Sequence, residues 1–294
     1  MPAQPELDAA ASDFTRVRPK LFGIAYRVLG SVSDAEDIVQ ETWLRWQEYD
    51  RAIVREPEAF LATIATRLSI NVARSARARR ETYPGPWLPE PVDTSADPGL
   101  GAERAEALEL AILQVMEKLT PSERGAYVLR EAFDYPYSRI AEILEVTEAN
   151  ARQLVSRARK DISAQRREPA DPERQRRLLS AFLAAAQKGD LADLEELFAA
   201  DVISYADGGG VVRGAAGYPI EGVERVAKVV AAYAPRFWTG VQLTWAETNG
   251  RSSVLVSRDD SVVALITVGA TAEGIDRLLW ILNPAKIARM SVHL

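Results

Sequence analysis

The clearest hydrophobic pattern in the chain lies between residues 137 and 160, where two short helical stripes flank a polar turn. Apolar residues recur at three- and four-residue steps in both stripes, which predicts two amphipathic helices joined as a helix-turn-helix. Thr147 stands where a side-chain hydroxyl would cap the second helix. The predicted buried stripe of that second helix consists of Ala151, Leu154, Val155, Ala158 and Ile162.

The opposite face of this second helix carries amide, guanidinium and ammonium groups. Such donors can reach base edges and neutralise phosphates, which favours contact with duplex DNA. The same pattern also occurs in ordinary helical bundles, where a basic outer face is only solvated, so the motif alone leaves both interpretations open. The residues expected to face DNA are Asn150, Arg152, Gln153, Ser156, Arg157, Arg159 and Lys160.

The N-terminal part of the chain predicts three further helices. The first begins near Phe14, the second follows Ser33 or Asp34 as its N-cap, and the third runs from Pro57 to Arg80. The acidic first turn of the second helix suits the helix dipole. The third helix becomes basic along its length, as nucleic-acid contact would require.

The pattern changes after residue 170. Two helices, a glycine-rich turn at 207–210 and a third helix precede four short runs of branched residues between 241 and 282. Helices followed by an antiparallel sheet predict an α+β domain with a concave sheet. The Pro- and Gly-rich stretch 82–101 is predicted to be a linker, in which Trp87 packs against a neighbouring domain.

Composition and charge narrow the possible functions. The 294 residues include no cysteine and one histidine, His293, which excludes disulfides and thiolate zinc sites, and we predict no metal site and no cofactor. No apolar run approaches the roughly 20 residues that span a bilayer, and no signal-peptide pattern is present, so we expect a cytoplasmic protein without a membrane partner. The net charge of −6 conceals basic helices on either side of an acidic linker.

Taken together, these segments resemble the extracytoplasmic-function (ECF) sigma factors of bacterial RNA polymerase over about the first 168 residues. Residues 34–46 are similar to the core-binding helix of sigma region 2, and residues 119–160 to region 4. The sequence Trp-Leu-Pro-Glu-Pro at 87–91 and the trailing domain resemble the subgroup with a fused SnoaL-like, NTF2-like domain. The Asp-Gly-Gly-Gly-Arg and Asn-Pro-Asp-Lys-Leu motifs of that subgroup appear here, imperfectly, at 207–211 and 283–287.

The resemblance implies a multidomain fold. It consists of two all-α sigma domains, a region 2 helical bundle and a region 4 helix-turn-helix, followed by an α+β NTF2-like cone with a curved antiparallel sheet. The expected boundaries are 12–80 for region 2, 81–102 for the linker, 103–168 for region 4 and 172–294 for the C-terminal domain.

The implied function is that of an alternative sigma factor, which binds core RNA polymerase and directs promoter-specific transcription initiation. The implied partners are the clamp of the largest polymerase subunit and promoter DNA, and the acidic linker would occupy a basic channel of the polymerase. The fused C-terminal domain would modulate this activity, and whether it also binds a small ligand stays open.

The resemblance also assigns residues to each surface, and the assignment of the minus-thirty-five element is the DNA-facing set named above. The core polymerase-binding residues would be Asp34, Glu36, Asp37, Gln40 and Glu41. The minus-ten contacts would come from Arg67, Asn71, Arg74, Arg77, Arg79 and Arg80. The interdomain regulatory residues would be Trp87, Asp207, Gly208, Gly209, Gly210, Asn283, Pro284 and Lys286.

Two other functions are compatible with parts of the chain. An NTF2-like cone can house an enzyme whose general base would be Asp201, Tyr205, Asp207 or Asp276, but no suitable histidine and no paired carboxylates support catalysis, so we expect no enzyme. A ligand-responsive helix-turn-helix regulator would bind duplex operators without core polymerase, usually as a dimer. That alternative gives the acidic helix 34–46 no role and ranks second.

Overall fold

The computed structural model describes the backbone of residues 4–94, 109–165 and 168–290, and side chains in these ranges except at 4–9, 77–81 and 165. The described residues form two compact units. Residues 4–81 and 112–165 make up the helical unit, and residues 82–94, 109–111 and 168–290 make up the sheet unit. The segments expected to be regions 2 and 4 fall in one unit, so the domain boundaries expected from the sequence stay predictions.

The helical unit is built from seven described helices. They are α1 Gln4–Leu29, α2 Val32–Glu48, α3 Pro57–Glu81, α4 Leu110–Met116, α5 Pro121–Glu131, α6 Tyr137–Leu144 and α7 Glu148–Gln165, with a 3₁₀ turn at Arg51–Ile53. The first two residues of α4 belong to the sheet unit. No helix in the described ranges combines the length and the apolar character needed to cross a membrane.

The first three helices pack around a shared apolar interior. Helix α1 begins at Gln4, ten residues before the predicted start. The N-cap of α2 is Ser31, whose hydroxyl accepts a hydrogen bond from the amide of Asp34 at 3.2 Å, so the predicted caps Ser33 and Asp34 are wrong. The indole of Trp46 donates to the carbonyl of Ala10, which ties the end of α2 to the start of α1.

The helix-turn-helix forms where the hydrophobic pattern predicts it. Helix α6 ends at Leu144, and its C-cap Glu145 adopts the left-handed conformation (φ 57°) that glycine usually supplies. Thr147 Oγ1 accepts a hydrogen bond from the amide of Asn150 at 3.2 Å, which confirms the predicted N-cap. The buried Arg124 of α5 donates to the carbonyl of Val28 at 2.8 Å, and thereby fastens α5 to the end of α1.

The sheet unit combines four helices with a six-stranded sheet. Its elements are α8 Pro172–Lys188, α9 Leu191–Leu197, β1 Phe198–Asp207, β2 Ile220–Glu221, α10 Val223–Phe237, β3 Gln242–Thr248, β4 Arg251–Arg258, β5 Ser261–Thr271, β6 Gly274–Ile281 and α11 Pro284–Ile287. The strand order is β2-β1-β6-β5-β4-β3. Strands β1 and β6 pair in parallel and the other neighbours are antiparallel. The predicted α+β domain is therefore confirmed, with a mixed sheet in place of the expected antiparallel one. The residue alternation that reveals a strand is the same in both directions and carries no information on pairing.

Each face of the sheet packs against a separate apolar core. Successive residues of a strand point to opposite faces, so Val254 and Val256 of β4 join Phe182 of α8 on one face. Leu255 points to the other face, where Leu88 of the linker and Ile287 of α11 pack. The linker therefore completes the second core of the sheet unit, and burying a leucine there contributes about 1.5–3 kcal/mol.

Two glycine substitutions test the close backbone packing at the start of β6. Gly274 has φ 128°, and a Cβ there would lie 2.7 Å from the carbonyl oxygen of Leu197. Gly240 also has positive φ (68°), but a Cβ at that position would meet nothing within 4 Å. We expect Gly240→Ala to lower the free energy of unfolding by about 1 kcal/mol, and Gly274→Ala by more than about 2 kcal/mol because steric overlap adds to the backbone strain. Urea denaturation followed by circular dichroism measures both values, and equal losses would contradict the predicted close approach.

Candidate DNA-binding and polymerase-binding surfaces and a linker clasp

Helix α7 presents two distinct faces. Ala151, Val155, Ala158 and Ile162 are buried, and Leu154 is half-buried. The side of α7 that is exposed to solvent carries all seven residues predicted to face the minus-thirty-five element: Asn150, Arg152, Gln153, Ser156, Arg157, Arg159 and Lys160. A helix with this arrangement can lay its polar face in a major groove while the apolar face holds it to α5 and α6.

The cations of α7 differ in how they are held. Arg152 lies over the ring of Tyr137 at 4.6 Å and pairs with Glu148. The hydrogen bond to Glu131 raises the pKa of the Arg159 guanidinium and orients it. Among the described residues, Arg157 and Lys160 have no side-chain partner, so both charges are available to phosphates.

The predicted minus-ten surface follows α3. Asn71 and Arg74 are exposed, and Arg74 Nη1 donates a hydrogen bond to Asn71 Oδ1 at 3.4 Å. The side chains of Arg77, Arg79 and Arg80 lie outside the described residues. Their assignments to DNA stay predictions.

Arg67, which was also predicted to contact the minus-ten element, is engaged inside the helical unit. Its Nε donates to the carbonyl of Ile143 at 2.8 Å, and its Nη2 donates to that of Glu142 at 3.0 Å. A third contact joins Nη1 to the Glu145 carboxylate at 2.9 Å. The last carbonyls of a helix have no partner within the helix, so Arg67 caps α6 at its negative end. A predicted DNA contact of region 2 is thus occupied by the helix-turn-helix of region 4.

The predicted polymerase-binding face lies along α2. Asp37 and Gln40 are exposed, and Asp34, Glu36 and Glu41 are half-buried. Two of these carboxylates form ion pairs. Glu36 pairs with Arg18 at 2.6 Å, and Glu41 pairs with Arg45 at 2.8 Å.

The opposite side of α2 faces the interior, where Ile38 and Val39 are buried and Trp43 packs against Phe14. The structure thus turns the acidic residues of α2 outward as a group.

The predicted interdomain residues meet at a buried carboxylate in the sheet unit. Asp207, at the end of β1, is 0% exposed. It accepts hydrogen bonds from the hydroxyl of Tyr83 at 2.6 Å, the amide of Leu88 at 2.9 Å and the amide of Gly209 at 3.1 Å. The ammonium of Lys286 lies 2.7 Å away and supplies the opposite charge. Because the carboxylate is buried, its charge is tolerated only with this set of partners.

Lys286 contacts the linker in addition to its ion pair with Asp207. Its ammonium donates to the carbonyl of Leu88 and lies 4.1 Å from the ring centroid of Trp87. Asn283 Nδ2 donates to the hydroxyl of Tyr83 at 2.9 Å. We call this group the linker clasp, and its residues are Tyr83, Trp87, Leu88, Asp207, Asn283 and Lys286.

The glycines that follow Asp207 allow the loop to pass close to the clasp. Gly209 has φ 62°, and a Cβ there would lie 2.6 Å from Asn283 Nδ2. Gly210 has φ 73° and lies against the ring of Pro84. Positive φ and close packing together favour glycine at both positions. Pro284, which was also assigned to the interdomain set, occupies the first turn of α11, capped by Asn283.

Sequence reasoning missed part of the linker attachment. It named Trp87 but not Tyr83, and it did not foresee that the amide of Val92 donates to Asn249 Oδ1 at 2.9 Å. It also missed the ion pair between Glu109 and Arg251. Tyr83 stands beside Pro84 and could have been chosen as an aromatic residue in a proline-rich linker, whereas backbone contacts such as the Val92 amide leave no sequence signal.

A cavity of about 160 Å³ lies in the sheet unit between β1, β6, α10 and the loop that follows Asp207. Phe237, Trp238 and Trp280 form much of its wall.

The four residues nominated as a general base do not line this cavity. Asp207 is used by the clasp, and Tyr205 packs against the second core, which contains Leu88 and Ile287. Asp201 is exposed, and the Asp276 carboxylate lies 3.9 Å from the Arg277 guanidinium.

Comparison with known proteins agrees with this geometry. Residues 14–79 match the family Sigma-70 region 2, and residues 109–162 match the family Sigma-70, region 4. The fold and its surfaces thus define a sigma factor of bacterial RNA polymerase.

Two relatives and one solved structure identify the group of sigma factors to which the chain belongs. The chain is 40% identical over 238 residues to the ECF RNA polymerase sigma factor SigJ of Mycobacterium tuberculosis, covering 78% of this chain and 75% of that protein. It is 26% identical over 293 residues to the probable ECF RNA polymerase sigma factor SigI of Mycobacterium tuberculosis, covering 98% of both. The crystal structure of Mycobacterium tuberculosis SigJ superposes with a TM-score of 0.77 at 33% identity, covering 95% of this chain and 98% of that one.

The chain belongs to the ECF RNA polymerase sigma factors, and its sheet unit is the SnoaL-like domain of the SigJ subgroup. It is an alternative sigma factor that directs transcription initiation, and sigma factors work with core RNA polymerase and promoter DNA. The members of this family are initiation factors and not enzymes. The alternative interpretation, a helix-turn-helix regulator that binds duplex operators without core polymerase, is not favoured by these comparisons.

The pH dependence of stability tests the clasp. Burial and the hydrogen bond to Asp207 both raise the pKa of the Tyr83 phenol above its ordinary value. The stabilisation by the neutral phenol is therefore complete below about pH 10 and is lost as pH rises further, because the unfolded tyrosine ionises first. We expect the difference in unfolding free energy between the parent protein and Tyr83→Phe to shrink between about pH 8 and about pH 11. Urea titrations at both pH values measure it, and an unchanged difference would argue against a half-buried phenol bonded to Asp207.

Proposed function

We propose that the three surfaces of the helical unit serve the three contacts of transcription initiation. The acidic outer face of α2 would bind the clamp of the largest polymerase subunit, the exposed side of α3 the minus-ten element, and α7 the minus-thirty-five duplex. The observation that carries the proposal is the polar face of α7, where the donors stand out together while the opposite face is buried. The exposed Asp37 and Gln40 support the assignment of α2. Because its partners are core polymerase and promoter DNA, the proposed site of action is the cytoplasm.

We further propose that promoter recognition needs the contact between regions 2 and 4 to open. Arg67 cannot bind promoter phosphate while its guanidinium holds two carbonyls and a carboxylate at the end of α6. The promoter must then compete with that internal site. The free sigma factor would be held partly closed by Arg67, and polymerase and DNA together would release it.

The sheet unit is proposed to modulate activity through the linker clasp. The clasp holds the linker at Tyr83 and Leu88, and a second attachment joins the linker amide of Thr94 to the carbonyl of Glu247. A linker fixed at both places is withheld from the basic polymerase channel that it is expected to enter. The cavity beside the clasp supports an additional proposal, that a small molecule binds the sheet unit and adjusts the clasp.

In vitro transcription tests the sigma assignment of α7. We expect Arg157→Ala to lower promoter-specific transcript from purified core polymerase by about 10-fold, since a groove or phosphate contact contributes about 1–3 kcal/mol. Arg225→Ala, an exposed arginine of the sheet unit, is the matched control and should leave transcription unchanged. The template is the promoter upstream of the protein's own gene. If the protein shifts duplex DNA without core polymerase and Arg157→Ala has no effect on transcription, an operator-binding regulator replaces this proposal.

The regulatory role of the clasp is tested by loosening its linker side. Trp87→Ala removes the ring over the Lys286 ammonium while Asp207 keeps its ion pair, so the sheet should stay folded. Freeing the linker is expected to raise transcription several-fold, and limited proteolysis should show faster cleavage between residues 82 and 94. Trp245→Ala, at an exposed tryptophan of β3 outside the clasp, is the control. Faster cleavage with unchanged or reduced transcription would contradict the proposed inhibition.

A further inference from the structure

The cavity in the sheet unit has the size of one aromatic ring. Its volume is about 160 Å³. An apolar protein cavity of about 150 Å³ admits benzene, whereas drug-sized ligands need roughly 300–1,000 Å³. The volume therefore excludes large cofactors and polycyclic ligands, and favours a compact molecule.

The walls favour an aromatic molecule in particular. Phe237 contacts Trp238 and Trp280 edge-on, with ring centroids at 4.7 and 5.5 Å. All three rings line the cavity, and Val230 of α10 adds an aliphatic surface. Aromatic rings prefer this combination of edges and faces, because each ring is negative on its face and positive at its rim.

One hydroxyl at the cavity wall forms no hydrogen bond within the described residues. Ser204 of β1 is only 8% exposed, and it lines the cavity. Within the described residues, no hydrogen bond involves its Oγ. A hydroxyl at the wall of an apolar cavity is free to bond a polar substituent of the molecule that fills the cavity, and such a bond would complete its hydrogen bonding.

A positive charge stands at the solvent side of the same cavity. Arg213 lines it, is exposed, and forms no ion pair within the part of the chain that the structure describes. The guanidinium matches a carboxylate in a planar, two-pronged arrangement. The apolar interior and this single cation together select an amphipathic anion.

We propose that the cavity binds a monocyclic aromatic carboxylate. The ring lies among Phe237, Trp238 and Trp280, the carboxylate pairs with Arg213 at the opening, and the Ser204 hydroxyl bonds a polar ring substituent. This inference rests on the proposed regulatory role of the sheet unit and names the class of ligand that would exert it.

The ligand site and the linker clasp share one loop. The loop after Asp207 supplies Val212, Arg213 and Gly214 to the cavity wall. Gly209 and Gly210 of the same loop pack against Asn283 and Pro84 at the clasp. A ligand that fixes the loop therefore changes the stability of the clasp, and by thermodynamic linkage the clasp changes the affinity for the ligand.

The experiment titrates the full chain with benzoate and 4-hydroxybenzoate, and uses benzamide and toluene as a neutral isostere and an apolar control. Quenching of tryptophan fluorescence and saturation-transfer NMR measure binding. We expect saturable binding of benzoate at least about 10-fold tighter than that of benzamide, a difference of about 1.4 kcal/mol. The hydroxyl of 4-hydroxybenzoate should tighten binding further, and Ser204→Ala should abolish that gain.

Variants locate the binding and test the charge. Arg213→Gln should weaken benzoate about 10-fold and leave benzamide unaffected, whereas Arg225→Gln serves as a matched control on α10, away from the cavity. Ala216→Leu, at a half-buried position in the cavity wall, should exclude all four compounds. Circular dichroism confirms that each variant folds. Absence of saturable benzoate binding, equal binding of toluene and benzoate, or insensitivity to Arg213→Gln would each overturn the proposal.

The coupling to the clasp separates failure of this inference from failure of the proposed function. Trp87→Ala should change benzoate affinity at least about 5-fold. If transcription responds to Trp87→Ala but benzoate does not bind, the ligand class is wrong and the regulatory function stands. If benzoate binds as expected but neither its affinity nor transcription responds to Trp87→Ala, the ligand site stands and the regulatory function fails.

Discussion

A carboxylate removed from water requires a cation and hydrogen-bond donors within the protein, and Asp207 obtains them from three stretches of chain, two of which are distant in sequence. The linker supplies Tyr83 and the Leu88 amide, the glycine loop supplies the Gly209 amide, and α11 supplies Lys286. Each stretch therefore depends on the other two for its position. The second apolar core depends on the clasp as well, because Leu88 and Ile287 of that core are adjacent in sequence to the clasp residues Trp87 and Lys286. A single electrostatic requirement thus makes a linker into a structural part of the SnoaL-like domain.

The helical unit also uses a basic side chain to satisfy backbone carbonyls, but this side chain is more exposed to solvent than Lys286. Arg67 satisfies carbonyls at the end of α6, but its guanidinium is about half-exposed and can exchange these partners for phosphate. Lys286 is buried and has no such alternative. The two basic residues also differ in how far their side chains are exposed to solvent. Exposure decides which contact can switch readily and which one needs a structural change.

Local patterns predicted the helices of the sigma regions well. The stripe of α7, its Thr147 cap and the family resemblance all follow from spacings within a few residues, which side-chain chemistry fixes locally. The sequence did not reveal that Glu145 takes a left-handed conformation or that Ser31 caps α2, because neighbouring residues offered equivalent chemistry. The parallel β1–β6 pair was beyond this reasoning, and so were the individual contacts of the clasp, whose residues other than Tyr83, Trp87 and Leu88 were named only through the family resemblance. They depend on partners up to 200 residues apart, where alternation and composition carry no pairing information.

The long separation between the clasp partners also orders events during synthesis. The helical unit ends at residue 165, but Tyr83 and Leu88 find Lys286 and Asn283 only after α11 has been translated. At about 5–20 residues per second, roughly 6–25 s pass between these points. During that interval a nascent chain holds finished sigma helices and an unclasped linker. Ribosome-bound chains therefore present the polymerase with a different molecule from the one released into the cell.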